Sequence, residues 1–134
     1  MRSRVALVVS MMAFLLMPLF GAEVFGEELK MGKSAICLDV KDRMSVGEAS
    51  EFPSSIKKVY CYTVIEGATA PTQITHVWQY KGKKVREITL PVKYIKWRTW
   101  SVKNILPSQV GPWAVDIVDT ASEKVIGTLH FNIK

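Results

Sequence analysis

The sequence has little of the chemistry on which most enzymes and metal sites depend. Among its 134 residues there are two histidines, His76 and His130, and two cysteines, Cys37 and Cys61. None of the four falls into a short Cys or His cluster, so the ligand spacing of a metal site is absent. The chain also lacks a glycine-rich phosphate loop and a nucleophile elbow. We therefore expect no catalytic residues, no metal, no cofactor and no enzymatic activity.

The balance of charge does not favour nucleic-acid binding. Lys and Arg number 18 against 12 Asp and Glu, which gives a formal net charge of +6, and the basic residues are spread along the chain. A nucleic-acid-binding domain usually gathers its basic residues into a patch or stripe. A mildly basic surface of this kind can attract acidic polymers, but we expect no nucleic-acid partner.

Long apolar runs are also missing, except near the N terminus. Residues 5–20 form an uncharged, mostly apolar run of 16 residues after the basic start MRSR. As a helix this run would extend about 24 Å, which is short of a hydrocarbon core of ~30 Å. The pattern is typical of an export signal, so we expect a signal peptide over residues 1–22, with cleavage after Ala22 or Gly26. Retention of the run as a membrane anchor is the alternative.

Export changes how the charge and the cysteines are interpreted. Removal of residues 1–22 takes Arg2 and Arg4 and no acid, so the formal charge falls from +6 to +4. The mature domain is expected in the periplasm or cell envelope of a bacterium, or secreted, and its only expected membrane contact is through an uncleaved signal sequence. In an oxidising compartment Cys37 and Cys61 can form one disulfide, which would contribute roughly 3 kcal/mol. Two buried free thiols are the alternative.

Strand-like runs dominate the rest of the chain. Runs rich in Val, Ile, Thr and aromatic residues alternate with turn residues, and no helix is predicted. They predict seven strands, at 35–40, 57–65, 72–80, 85–90, 94–102, 113–119 and 124–133, with a hairpin turn at Gly82. Residues 23–34 are expected to be a flexible segment and residues 41–56 a long connection. The predicted fold class is all-β: one antiparallel, immunoglobulin-like β-sandwich of about seven strands over residues 35–134, with a small barrel as second choice.

The stretch KWRTWSVKN, residues 96–104, contains two tryptophans three positions apart. Side chains alternate along a strand, so Trp97 and Trp100 should lie on opposite faces. Ile95 and Trp97 fall in phase, and both are assigned to the core. Trp78 and Trp113 are assigned to the core too, because each has aliphatic neighbours in phase with it. In the last strand the same test assigns four residues to the core, which are Val125, Leu129, Phe131 and Ile133.

The other face of this strand carries Trp100 beside Lys96 and Arg98, which makes an aromatic and cationic strip. Arg98 and Lys103 are candidates to contact a carboxylate or a phosphate on the face that carries Trp100. We place His76 at the edge of this candidate site.

Four motifs in order, VYCYT, PTQITHVWQY, WRTWSVKNILP and GPWAVDIVD, carry a resemblance to a known family. Over about residues 35–134 the chain resembles the bacterial domain of unknown function 2914, a short domain of exported or membrane-attached proteins. The resemblance implies a compact all-β envelope domain and no known activity. It also implies that His76, Arg98, Ser101 and Lys103 form a shared site or a shared polar network. The residues that match the family pattern are Cys37, Arg43, Cys61, His76, Trp78, Trp97, Arg98, Ser101, Lys103, Gly111 and Trp113.

Two hypotheses for the function follow. The first is a binding module for an envelope glycan or another anionic ligand. The second is an interaction or structural module that docks a protein partner in an envelope assembly, through the same strip or an open sheet edge. A concave groove beside Trp100 would favour the ligand, and a flat exposed apolar patch would favour the protein partner. The predicted binding residues are His76, Arg98, Trp100, Ser101 and Lys103.

Overall fold

A computed structural model describes residues 28–134, whose regular structure consists of strands. The signal peptide predicted for residues 1–22 and both cleavage sites lie outside the described residues. The eleven strands are β1 (Lys30–Met31), β2 (Ala35–Cys37), β3 (Asp39–Lys41), β4 (Met44–Val46), β5 (Glu51–Phe52), β6 (Lys58–Glu66), β7 (Thr72–Tyr80), β8 (Lys83–Val92), β9 (Lys96–Asn104), β10 (Gly111–Asp119) and β11 (Lys124–Ile133).

Two sheets face each other across one core. In the first sheet β6 is central, with β9 on one side and β1 and β2 on the other, and the second sheet has the order β5-β11-β10-β7-β8. The seven strands β2, β6, β9 and β11, β10, β7, β8 have the arrangement of strands A, B, E and G, F, C, C′ of an immunoglobulin-like sandwich. The predicted fold class is therefore confirmed. No sheet within residues 28–134 closes into the barrel that was the second choice.

Alternation along the long strands builds the core. Trp78 on β7 and Trp113 on β10 both point inward and are buried. The ring of Phe131, from β11, lies edge-on to Trp78 with centroids 6.2 Å apart and stacks on Trp113 at 5.7 Å. Aromatic pairs in these arrangements add to the stabilisation from buried area. The core assignment of Trp78 and Trp113 is confirmed, and Trp97 packs against the same core while half-buried.

Two other core assignments are wrong. Ile95 is 66% exposed because β9 begins only at Lys96, so the alternation does not extend back to it. Val125 is 56% exposed although it lies within β11. A bulge shifts the β10–β11 register between Ile117 and Val118, and this reverses the faces of the residues beyond it.

Short strands occupy two segments that were predicted to lack them. Lys30–Met31 pairs with the end of β6, and Leu29 before it is buried, so the prediction of a flexible segment is wrong for this part. The connection at 41–56 contains β4, which forms a hairpin with β3, and also β5. In the β3–β4 turn Asp42 and Arg43 have φ angles of 50° and 62°. Two successive residues with positive φ give the tight turn that matches strand twist.

The two cysteines lie on opposite faces of the first sheet. Cys61 is the register partner of Ile36, whereas the partner of Cys37 is Tyr60. Because cross-strand partners share a face, Cys61 points into the core and Cys37 points to the outer face. Both are buried free thiols, and burial raises the pKa of each. The predicted disulfide is therefore wrong, and the alternative of two buried thiols is what the structure shows.

All of these strand pairings and both apolar clusters lie within residues 28–134, so this part of the chain carries its own core. The second, smaller cluster lies on the outer face of the first sheet, where the β3–β4 hairpin covers part of β6. Within the same residues there is no helix of the length and apolarity needed to cross a bilayer.

Candidate functional site

Strand β9 distributes the predicted binding residues over two faces of the first sheet. Ser101 and Lys103 lie on the face toward the second sheet, together with Thr63 on the neighbouring strand β6. Arg98 and Trp100 lie on the outer face. His76 approaches the inner face from β7 of the opposite sheet. The five residues predicted to form one site therefore do not meet in one place.

The inner face holds a buried polar network, whose hydrogen bonds fix the tautomer of His76. Thr63 Oγ1 donates its single hydrogen to the carbonyl of Thr99 at 3.0 Å, so it can only accept from His76 Nε2 at 3.2 Å. Nε2 therefore carries the proton, and Nδ1 accepts from the Ser101 hydroxyl at 2.6 Å. Ser101 Oγ in turn accepts the indole N–H of Trp78 at 3.1 Å. Each of these side-chain donors has an acceptor.

This network stabilises the neutral form of His76. Burial lowers the pKa of His76 to about 4. A second proton, on Nδ1, would also face the Ser101 hydroxyl, which would then lose the acceptor for its own hydrogen. The two residues resemble the Ser–His pair of a hydrolase, but they are 5% and 0% exposed, and Nε2 contacts Thr63 rather than a carboxylate. Their arrangement is that of a satisfied core network.

Lys103 lies apart both from the buried polar network and from Arg98 and Trp100 on the outer face. Its side chain is on the inner face at the far end of β9, with Nζ 5.8 Å from the ring centroid of Trp113 and donating to the Asn104 carbonyl at 2.8 Å. Desolvation and, to a lesser extent, the charge of Arg86 lower the pKa of Lys103. Its predicted place beside Arg98 and Trp100 is wrong, because its position in the strand differs from theirs by an odd number and alternation puts it on the opposite face.

Trp100 packs against the smaller apolar cluster on the outer face of the first sheet, which is built on Cys37, Tyr62 and Val64 and which we call the outer cluster. Its ring stacks on Tyr62 with centroids 6.1 Å apart, and the two residues are register partners on β9 and β6. The Tyr62 hydroxyl donates to the carbonyl of Arg43 in the hairpin turn at 2.6 Å, which ties the hairpin to the sheet. Trp100 is half-buried as a result. The predicted separation of Trp97 and Trp100 is confirmed, since one packs on the core and the other on the outer cluster.

A concave groove of about 250 Å³ lies between the β3–β4 hairpin and the outer face of β6 and β9. We call it the outer groove. Apolar side chains from Tyr62 and Val64 line it, and three cations reach it, from Lys33, Lys96 and Arg98. The exposed Arg98 forms no salt bridge within residues 28–134. Its guanidinium is therefore available to an anion from outside the chain.

Carboxylates also line the outer groove and limit what it can bind. Glu66 is the register partner of Lys96, and Glu48 accepts a hydrogen bond from Ser45. They leave the groove with one more cation than anion. No group of three or more His, Cys, Asp or Glu in the described part of the chain could hold a metal ion. The side chains present fit a small anionic ligand held by Arg98.

Sequence reasoning missed the half of the groove that the hairpin supplies. Met44 and Ser45 line the groove from β4, and Lys33 reaches it from the turn between β1 and β2. The only signal in the sequence was the short alternation of Met44, Ser45 and Val46 beside the turn residues Asp42 and Arg43. A three-residue strand is too short for periodicity to separate it from a loop.

These features define an immunoglobulin-like β-sandwich with a satisfied polar core and a groove on one outer face. Residues 71–133 match the family model described as a protein of unknown function, DUF2914, and this part of the chain belongs to that family. The match includes His76, Arg98, Ser101 and Lys103. The resemblance over residues 35–70 stays a prediction. No curated protein matches the chain.

Proposed function

We propose that this chain is a non-enzymatic binding domain of a bacterial cell envelope, which holds a charged envelope glycan or similar anionic ligand in the outer groove. The observation that carries the proposal is the exposed Arg98, which has no carboxylate partner within residues 28–134 and lies beside Trp100 and the apolar floor of Tyr62. A guanidinium binds carboxylate or phosphate, and an adjacent apolar floor suits the carbon face of a sugar ring. Export to the envelope rests on the N-terminal sequence.

The absence of enzymatic activity is part of the proposal. Its support is the position of the Ser101–His76 pair, which is enclosed in the core, where a substrate has no access. The outer groove is lined by Ser45 and by the carboxylates Glu48 and Glu66, but no histidine lines it to act as the general base for a hydroxyl nucleophile.

Isothermal titration with two probes tests the proposal: a hexameric uronate, which carries carboxylates, and a poly(glycerol phosphate). We expect one of them to bind, and Arg98→Ala to weaken the binding at least about tenfold, because a charge-assisted bidentate contact is lost. Lys84→Ala is the matched control, since it removes an exposed cation that pairs with Glu87 on the second sheet. Failure of both probes to bind, or equal losses in the two variants, would refute the proposal.

A protein-interaction module is the second candidate. Three large apolar side chains are exposed on or beside the hairpin, with Leu38 at 46%, Met44 at 53% and Val46 at 41%. Such a patch is typical of a protein contact when it is contiguous. If this candidate is correct, Leu38→Ser combined with Val46→Ser should abolish cross-linking to an envelope protein without changing affinity for either glycan probe. Unchanged cross-linking in the double variant would exclude it.

A further inference from the structure

One end of the sandwich gathers three loops and the point where the chain enters the domain. The loops at 67–71, 93–95 and 120–123 join β6 to β7, β8 to β9 and β10 to β11. Because successive long strands run in opposite directions, these three loops lie at the same end. Glu28 lies there too, since a Cβ on Gly67 would be 2.8 Å from its carbonyl oxygen. We call this the loop end.

The loop end carries the two most exposed large hydrophobic side chains within residues 28–134. Tyr94 is 67% exposed and Ile95 is 66% exposed, and they are adjacent in a three-residue loop. The Tyr94 ring lies 5.5 Å from that of Trp97, at an angle of 49°, which supports it against the domain. We call the four residues 93–96 the tip. An apolar pair at the apex of a short loop, with an aromatic support behind it, differs from scattered surface residues that need no explanation.

Cations flank the apolar pair of the tip. Lys93 and Lys96 flank the apolar pair, and both are exposed. The Arg43 guanidinium carbon lies 5.4 Å from the ring centroid of Trp97. Acids also lie at the loop end. Glu28 forms a salt bridge with Lys124, whereas Glu66, the register partner of Lys96, and Glu123 form none within the described residues. Lys93 and Arg43 form no salt bridge in the part of the chain that the structure describes.

We propose that the tip docks the domain on an anionic membrane surface. Tyrosine and tryptophan rings prefer the level of the lipid headgroups, an aliphatic side chain beside them enters the acyl boundary, and lysines attract anionic headgroups. Tyr94, Ile95 and the two lysines of the tip supply an aromatic ring, an aliphatic side chain and cations. A protein partner fits less well, because two exposed apolar side chains on a three-residue loop lack the surrounding ring of contacts that excludes water from a hot spot.

The point at which the chain enters the domain supports the same orientation, with the loop end toward the membrane. Residues 5–20 form the apolar run, and the chain passes from it to Glu28 at the loop end. In any precursor whose apolar run is in a membrane, residues 21–27 can span at most about 25 Å, so the loop end stays near that membrane. The inference does not rest on the proposed ligand, because neither Tyr94 nor Ile95 lines the outer groove.

Co-sedimentation of residues 23–134 with lipid vesicles tests the proposal without the apolar run. The vesicles are pure phosphatidylcholine or an equal mixture of phosphatidylcholine and phosphatidylglycerol, at low salt. We expect binding to the anionic vesicles only, and Tyr94→Ser combined with Ile95→Ser should reduce the partition coefficient at least about tenfold. A cooperative urea transition for each protein shows that it is folded.

The matched control is Leu106→Ser combined with Val110→Ser, which removes two exposed apolar side chains, 59% and 39% accessible, from the opposite end of the sandwich. We expect this control to change the partition coefficient less than about twofold. The tip variant should also keep its affinity for the glycan probes, which separates failure here from failure of the proposed function. No binding of the unaltered protein to anionic vesicles, or equal losses in the tip and control variants, would overturn the proposal.

Discussion

The two faces of β9 both carry polar side chains, but those side chains differ in whether the chain itself supplies their partners. On the inner face the Ser101 hydroxyl donates to His76 and accepts from Trp78, so its hydrogen-bonding capacity is used within the chain. On the outer face Arg98 is exposed and forms no salt bridge within the described residues. Residue type does not distinguish these roles. What distinguishes them is whether the partners of a polar group are supplied by the fold, and we infer that Arg98 takes its partner from outside.

Loss of a core anchor on the inner side should have the largest effect. Trp78→Ala should lower the free energy of unfolding by about 3 to 5 kcal/mol, because it removes a fully buried indole and one donor to Ser101. The half-buried Trp100, on the outer cluster, provides the comparison, and Trp100→Ala should cost about 1 to 2 kcal/mol. Urea unfolding of both variants measures the difference. Equal losses would contradict the distinction between the two faces.

Acid should weaken the inner network through His76. Its pKa is about 4 in the folded protein and 6.5 in the unfolded chain, so between these values the unfolded state binds more protons. The stabilisation is therefore complete above about pH 6.5 and decreases as the pH falls, by about 1.4 kcal/mol per unit and roughly 3 kcal/mol in total near pH 4. Urea unfolding at several pH values should show a shallower slope for His76→Gln. The same slope in both proteins would show that another group is responsible.

Removing only the Ser101 hydroxyl should have a smaller effect. Ser101→Ala leaves His76 Nδ1 without a donor and the Trp78 indole N–H without an acceptor, which should cost about 1 to 3 kcal/mol. Ser108, exposed in the loop after β9, is the matched control, and Ser108→Ala should change stability by less than about 0.5 kcal/mol. Thermal melts compare the two. Indistinguishable melts would mean that the network contributes nothing.

Reducing agent should have no effect on stability, because Cys37 and Cys61 lie on opposite faces as free thiols. A disulfide between them would contribute roughly 3 kcal/mol, which a reductant would remove. The urea midpoint should therefore be unchanged by dithiothreitol, and the unfolded, unreduced protein should react with two equivalents of a thiol reagent. A lower urea midpoint after reduction, with no thiol labelling before it, would show that the two cysteines form a disulfide.

The long strands could be predicted from the sequence because each spans several periods of alternation. Periodicity identified β6, β7, β9, β10 and β11, and it correctly separated Trp97 from Trp100. The turn at Gly82 was also correct, since Lys81 and Gly82 have φ angles of 51° and 82°, as a tight hairpin turn requires. Local pattern is sufficient where one element is long enough to reveal its own period.

Register and tertiary contacts could not be predicted in the same way. The prediction of a disulfide was wrong because a one-residue difference in the pairing of β2 with β6 moves a side chain to the other face. No local pattern in the sequence fixes that pairing. The core assignment of Val125 was wrong for a related reason, since a bulge is a property of two paired strands. The candidate site was half predicted: β9 showed Arg98 and Trp100, but the hairpin that closes the outer groove became apparent only in the folded chain.

The most direct test of the central claim is a titration of the glycan probe that binds the unaltered protein into Arg98→Ala and Ser101→Ala, with a urea curve for each. If the outer face is the binding face, Arg98→Ala should bind at least about tenfold more weakly while its stability changes by less than about 0.5 kcal/mol. Ser101→Ala should lose stability and keep its affinity. Equal losses of affinity in the two variants, or a stability loss in Arg98→Ala as large as that in Ser101→Ala, would contradict the account.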